Sequence, residues 1–291
     1  MTFKKTILKA ASWTANVLPP SIKKGLYKWP FLARFLRNTL NAAVPVGLTE
    51  TTIASGPARG LKMLLDLKSE KDYWLGTYET ELQTAGKMLI PPGSVVYDIG
   101  ANIGYVSLLS AQLGGSKGKV FSFEALPANI ERLKTNVSLN KLTSRIMVTH
   151  AAVMDCDQPV TFLTHASRAM GKAMGSAGRD EEYSGQITVP GMAIDSFVYD
   201  QNHPEPDLVK LDIEGGEGCA LLGMKRLLSE KPPVFLIELH GEKAARQVWD
   251  YLLQFDYKIF KMAPPYPHIT YIDDLNWKAY IIALPADRSD L

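Results

Sequence analysis

Val95-Val96-Tyr97-Asp98-Ile99-Gly100-Ala101-Asn102-Ile103-Gly104 decides the fold. Its first five residues are an apolar run of strand length, and the glycines at 100 and 104 bound a turn that opens a helical pattern over 103–113. Such a turn lets a ligand approach the backbone, and the free N–H groups at the helix start offer it a positive potential. The same alternation continues outward on the C-terminal side. Residues 120–123 read as a strand, 127–140 as a helix with Pro127 in its first turn, and 146–153 as a strand. Residues 208–211 and 234–239 read as strands, each followed by a helix, over 217–228 and 243–255; 257–262 and 278–284 close the series as strands. Short β candidates at 160–163 and 187–189 flank the Gly- and Met-rich stretch 169–178, which has no period and reads as a loop, either a lid over an acceptor or a plain disordered loop. Apolar strands interleaved with amphipathic helices imply a mostly parallel α/β sheet covered on both faces.

On the N-terminal side, Tyr78, Leu82, Ala85 and Leu89 recur at helical spacing, and two apolar stretches within 51–67 flank the turn Gly56-Pro57-Ala58-Arg59-Gly60. Residues 1–49 hold Lys4, Lys5, Lys9, Lys23, Lys24, Lys28, Arg34 and Arg37 and no acid. Removing these eight from the 32 basic residues leaves 24 against 30 acids, so a net charge of +2 over 291 residues conceals a basic arm on an acidic body. The arm reads as two amphipathic helices, one before Pro19-Pro20 and one after Pro30. Three roles fit it: packing on the body or a second copy, peripheral contact with an anionic membrane, or nucleic-acid binding. Apolar runs fall short of the roughly 18 residues that span a bilayer. Cys156 and Cys219 make neither a disulfide framework nor a cysteine metal site, so a cytoplasmic location is expected, with the inner face of a membrane as its extension. The chain divides into the arm at 1–49, a hairpin and helix prelude at 50–90 and the main domain at 91–291.

In doubly wound sheets ligands bind where strands end, so the strand-end residues carry the chemistry. Glu124 ends the second strand 20 residues beyond Gly104, where an acid accepts ribose hydroxyls. A dinucleotide needs a second glycine beside its pyrophosphate, and here Asn102 takes that place, with Asp98 just before the loop. A carboxylate repels pyrophosphate but attracts the ammonium and sulfonium of S-adenosylmethionine. A nicotinamide- or nucleotide-binding Rossmann protein is the alternative.

VVYDIGANIGYVSLLSA, KVFSFEALPANIERLKTNVSLN, DLVKLDIEGGEGCALLGMKRLL and PPVFLIELHG, with YWLGTYETEL and VPGMAIDSFV, resemble the FkbM family of S-adenosylmethionine-dependent methyltransferases over roughly residues 55 to 245. The resemblance implies a Rossmann-like, seven-stranded class I methyltransferase sheet of order 3-2-1-4-5-7-6 with strand 7 antiparallel, preceded here by the helical N-terminal extension. It also implies methyl transfer, most often to a hydroxyl of a sugar or other small molecule. By matching positions, Asp98, Gly100, Asn102 and Gly104 hold the methionine end and Glu124 the ribose. The backbone of Ala152 and Val153, on to Asp155, holds the adenine, and Glu79 folds over the donor. The sequence departs from the family at FEALP, where FEPxP is usual, and at GGEGCALL, where GAELEVL is usual.

The fourth strand runs out through Lys210, Asp212 and Glu214 on one side. Either Asp212 orients the donor's amino group while Glu214 and Glu217 cap the next helix, or Asp212, with Glu214, is the base at the acceptor. His240, ending the fifth strand, is either a structural hydrogen-bonder at a helix start or the second candidate base. A divalent metal is an open alternative, with Asp212, Glu214 and Glu238 as an oxygen set for magnesium or calcium. No spacing rule marks these three, and none of them is assigned as a ligand. A nucleic-acid methyltransferase using the basic arm is a further alternative. Its fourth strand is expected to end in Asn/Asp-Pro-Pro-Tyr/Phe, and Leu211-Asp212-Ile213-Glu214 does not.

Overall fold

The computed structural model describes residues 44–165, 171–177, 183–275 and 278–288; the two helices expected in the basic arm lie outside them. Strands β1 (Leu48–Thr52) and β2 (Lys62–Asp66) form the expected antiparallel hairpin, and helices α1 (Lys71–Leu75) and α2 (Thr80–Leu89) follow. Then come β3 (Val95–Ile99), α3 (Tyr105–Leu113), β4 (Lys119–Glu124), α4 (Pro127–Leu139) and β5 (Ile146–His150). An insertion of β6 (Ala152–Val153), β7 (Val160–His165), β8 (Gly171–Ala173), β9 (Tyr183–Val189) and β10 (Gly191–Met192) precedes β11 (Leu208–Leu211). The chain ends through α5 (Glu217–Leu222), α6 (Lys225–Glu230), β12 (Val234–His240), α7 (Glu242–Gln254), β13 (Tyr257–Lys261) and β14 (Lys278–Pro285).

The main sheet runs β5-β4-β3-β11-β12-β14-β13, parallel except for β14, which is antiparallel to both its neighbours. This is the expected seven-stranded class I order. Its central strands are apolar at nearly every position because both faces are covered. Val96, Leu208, Val234 and Leu236 pack towards the layer of α2, α3 and α4, and Tyr97, Ile99, Val209, Leu211, Phe235 and Ile237 towards α5, α6 and α7. Asp98, Lys210, Glu238 and His240 share strand parity with the first set and replace it with charge at the carboxyl end of the sheet.

Three expectations need correction. The strand read over 146–153 breaks after His150, because Ala152 and Val153 pair with Gly191 and Met192 in a separate two-stranded sheet. The helix read over 217–228 is two helices. Asp195, some thirty residues upstream, accepts the N–H groups of Arg226 and Leu227 at 2.8 and 3.0 Å and so starts a new helix. Within the stretch read as a loop over 169–178, Gly171–Ala173 is strand β8, paired antiparallel with β7. Among the described residues no helix is long and apolar enough to cross a membrane.

The hairpin is fastened to the sheet by side chains. Asn136 of α4, fully buried, accepts the Leu64 N–H at 2.7 Å and donates to the Ile103 carbonyl at 2.8 Å. Asn140 accepts the Lys62 N–H at 2.8 Å and returns a bond to the Lys62 carbonyl at 2.7 Å. These amides close the open edge of β2 as a neighbouring strand would. Asn136→Ala leaves a buried donor and a buried acceptor unpaired, so it should cost about 2 kcal/mol in urea unfolding.

Candidate active site

The carboxyl ends of β3, β4 and β11 open into a cleft. Its first wall is the turn after β3. Gly100 has φ +77°, and a Cβ there would lie 1.9 Å from the Asp212 carbonyl, so glycine lets the turns after β3 and β11 touch. Gly104, at φ +94°, sits against Leu133, whose Cδ1 would be 2.3 Å from an added Cβ. Asn102 between them is also left-handed, at φ 49°. Its N–H donates to Glu124 Oε2 at 2.8 Å, while Glu124 Oε1 accepts the Leu126 N–H at 2.9 Å. Burial raises the Glu124 pKa, and these backbone donors oppose the rise.

Lys210 lies beneath this wall, 3% exposed. Its ammonium donates to the Gly100 carbonyl at 2.8 Å and stands 3.5 Å from Asp98 Oδ1 and 3.3 Å from Asp212 Oδ2. Burial disfavours the charge, but Asp212 and Asp98 outweigh it and hold the Lys210 pKa above its ordinary value. Asp98, wholly buried, also accepts the Ser107 hydroxyl at 2.5 Å, and Ser122 donates to Ser107 at 2.8 Å.

Carboxylates form the far wall. Burial raises the Asp212 pKa, Lys210 opposes the rise and Glu238 adds to it. The Nδ1–H of His240 donates to Glu217 Oε1 at 3.0 Å, since a carboxylate has only acceptors to offer. Nε2 then faces Glu238, Glu214 and Asp212 at 3.4, 3.6 and 3.7 Å. Burial works against an imidazolium there, but Glu217 and Glu238 overcome it and push the His240 pKa up to about 10. Burial would raise the Glu238 pKa; His240 and Lys278 outweigh it and bring it down to about 2. Glu79, half-buried at the start of α2 with φ 39°, is raised to about 7 by burial and then by Asp212. Over the mouth, the rings of Tyr73, Tyr78 and Tyr105 lie with centroids 4.3 to 5.5 Å apart. The Tyr105 hydroxyl is buried with no hydrogen-bond partner among the described residues.

Of the residues singled out in the sequence, Gly100, Asn102, Glu124, Ala152, Val153, Asp212 and Glu214 line the cleft, while Asp98, Gly104 and His240 stand behind its walls. Glu79 is electrostatically coupled to the same carboxylates but is not a lining residue. Gly171 and Ala173 of β8 line the cleft from the insertion. Sequence reasoning assigned no role to Lys210, whose signal was its alternation with Asp212 and Glu214, or to Tyr73, Tyr105 and Lys278, which carry none. Glu217, read as a helix-start acid, does accept the Gly215 N–H at 3.0 Å and also orients His240.

The family described as the methyltransferase FkbM domain matches residues 98–259, more than half the chain. The chain belongs to the FkbM methyltransferase family. Among curated relatives it is similar to the hexuronic acid methyltransferase AglP of Haloferax volcanii, at 27% identity over 147 residues, 50% of this chain and 56% of that protein. Among solved structures it is similar to a methyltransferase FkbM from Methylobacillus flagellatus, with TM-score 0.48, 20% identity and coverage of 75% of this chain and 53% of that one. It is similar also to an S-adenosylmethionine-dependent O-methyltransferase from Thermotoga maritima, with TM-score 0.42, 15% identity and coverage of 89% and 83%. The chain thus spans little more than half the length of the first two relatives.

Lys210→Met leaves Asp98 buried without its cation. The substitution should destabilise this FkbM protein by about 3 to 5 kcal/mol in chemical denaturation.

Proposed function

We propose that this FkbM family member is an S-adenosylmethionine-dependent O-methyltransferase acting on a hydroxyl of a carbohydrate or other small molecule. The observation that carries this reading is the two-sided cleft, with backbone and one acid on the nucleoside side and the Asp212–Glu214 carboxylates on the other. The residues present fit the donor. Glu124 uses one lone pair on each oxygen for backbone N–H groups, and a carboxylate has about four such positions, so it keeps capacity for ribose hydroxyls. Ala152 and Val153 would hold the adenine, and Gly100, Asn102 and the unpartnered Tyr105 hydroxyl the methionine end. Asp98 and Gly104 would act by shaping that turn, and Glu79 by its charge above it. When bound, S-adenosylmethionine supplies a methyl group on a sulfonium, whose C–S bond returns its electrons to sulfur as the acceptor oxygen bonds the methyl carbon.

A hydroxyl is a poor nucleophile, so its proton must leave as the new bond forms. Asp212 and Glu214 are the catalytic-side carboxylates that face the cleft, and the proton goes to this pair. His240 lies 2% exposed behind them and acts as a positioning residue for Asp212 and Glu238. A sugar acceptor is supported by the relative named a hexuronic acid methyltransferase.

S-adenosylhomocysteine should bind the full chain in calorimetry and bind about tenfold more weakly to Glu124→Ala; no binding, or full affinity in the variant, overturns the donor site. With a panel of uronic acid glycosides and labelled donor, Asp212→Asn and Glu214→Gln should lower kcat by about 10²-fold or more while keeping S-adenosylhomocysteine affinity. Wild-type turnover in both would remove the pair from the reaction.

A further inference from the structure

We infer that Asp212, Glu238 and His240 form a site for a divalent cation of the magnesium–manganese class behind the Asp212 wall of the cleft. One carboxylate oxygen from each acid and one ring nitrogen of His240 lie within 4.8 Å of one another. In the sequence Glu214 completed the candidate oxygen set; the fold brings in His240 instead and leaves Glu214 as a lining residue of the cleft outside the set.

The histidine carries the inference. It is 2% exposed, and its Nδ1–H is committed to Glu217, which is wholly buried and anchored by the N–H groups of Gly215 and Ile213 at 3.0 and 3.3 Å. The ring is thereby fixed with Nε2 aimed among three carboxylates. The nearest oxygen, on Glu238, is 3.4 Å away and is the hydrogen-bond partner of Nε2. A buried nitrogen thus faces three carboxylates, with Glu238 the nearest. An imidazole whose outer nitrogen is tied to a carboxylate is the arrangement that orients and strengthens a metal-ligating histidine. Six-coordinate ions with ligands at about 2.1 Å place neighbouring ligands about 3 Å apart and opposite ones about 4 Å apart. The separations of 3.4 and 3.7 Å from Nε2 to Glu238 and Asp212 fall between these values.

The charge balance points the same way. Asp212, Glu214, Glu217 and Glu238 converge here; Lys210, shared with Asp98, pairs with Asp212, and Lys278 lies 2.7 Å from Glu238 Oε1. Lys278 is 39% exposed and has room to withdraw to solvent, and Lys210 holds Oδ2 of Asp212, leaving Oδ1 towards His240. Two carboxylates with one imidazole and no thiolate suit manganese or magnesium better than a soft metal. Resting on the methyl-transfer reading, the cation would draw an acceptor hydroxyl to the Asp212 side of the cleft and lower its pKa, and Glu214, outside the ligand set, would receive the proton.

The test uses the full-length protein, stripped with a chelator, and Mn²⁺ alone, with free ion read by electron paramagnetic resonance. One ion per chain should bind saturably. Glu238→Gln and His240→Gln should each weaken binding more than tenfold, and Glu217→Gln, which keeps an acceptor for the ring, about tenfold. S-adenosylhomocysteine affinity, measured on every variant, reports that the fold persists. Absence of saturable Mn²⁺ binding up to millimolar concentration, or undiminished binding in both Glu238→Gln and His240→Gln, overturns the cation site. Loss of Mn²⁺ binding with S-adenosylhomocysteine bound as usual leaves methyl transfer standing; Mn²⁺ binding without S-adenosylhomocysteine binding does the reverse.

Discussion

Lys210 is the charge on which the cleft is built. A lysine 3% exposed in the middle of a sheet is tolerable only with anions and carbonyls around it, and Asp98, Asp212 and Gly100 supply them. In the parallel register Lys210 stands directly opposite Asp98, so the ion pair bridges neighbouring strands. Its bond to the Gly100 carbonyl pins the turn after β3, and its contact with Asp212 pins the turn after β11. Both walls of the cleft therefore share one buried cation, and the Gly100 backbone can touch the Asp212 carbonyl only while both turns stay where it holds them.

From that cation the polarity of the cleft follows. On the β4 side, Glu124 has its negative charge partly spent on the N–H groups of Asn102 and Leu126, which stiffens the turn that a nucleoside would contact. On the β12 side, Glu238 and His240 extend the charged row begun by Asp98 and Lys210, on a sheet face that is apolar a few residues earlier. Apolar burial stabilises the lower half of that face, while charge is confined to the strand ends, where opposite charges and loop carbonyls offset its burial. Three polar residues in the left-handed region, Glu79, Asn102 and Glu214, mark three loops that approach this edge. Left-handed conformations of non-glycine residues carry a small strain, which the surrounding contacts must hold.

The strands at 95–99 and 208–211 were legible to the residue, because each is a short apolar run bounded by glycine, proline or charge. The glycine turn and the acids flanking it were equally legible, since Asp98, Gly100, Asn102, Gly104 and Glu124 sit within one strand-turn-helix-strand unit and their spacing is local. Less legible was the break between α5 and α6, set by Asp195 from a helical turn some thirty residues away, and the departure of Ala152–Val153 from the main sheet, set by pairing with Gly191–Met192. No periodicity in 217–228 or 146–153 records either event, because the deciding partner is remote in the chain.

Sequence alone determined the layer architecture, the strand that leads into the cleft and the acid that ends the next strand, all of which follow from local apolar periodicity and turn chemistry. Tertiary structure decided which charges meet. Lys210 beside Asp98, His240 held by Glu217 and Glu238 facing His240 join residues up to 112 positions apart. Parallel register and the crossing of β3, β11 and β12 set those meetings, and electrostatic energy depends on distances in space that a linear pattern does not contain.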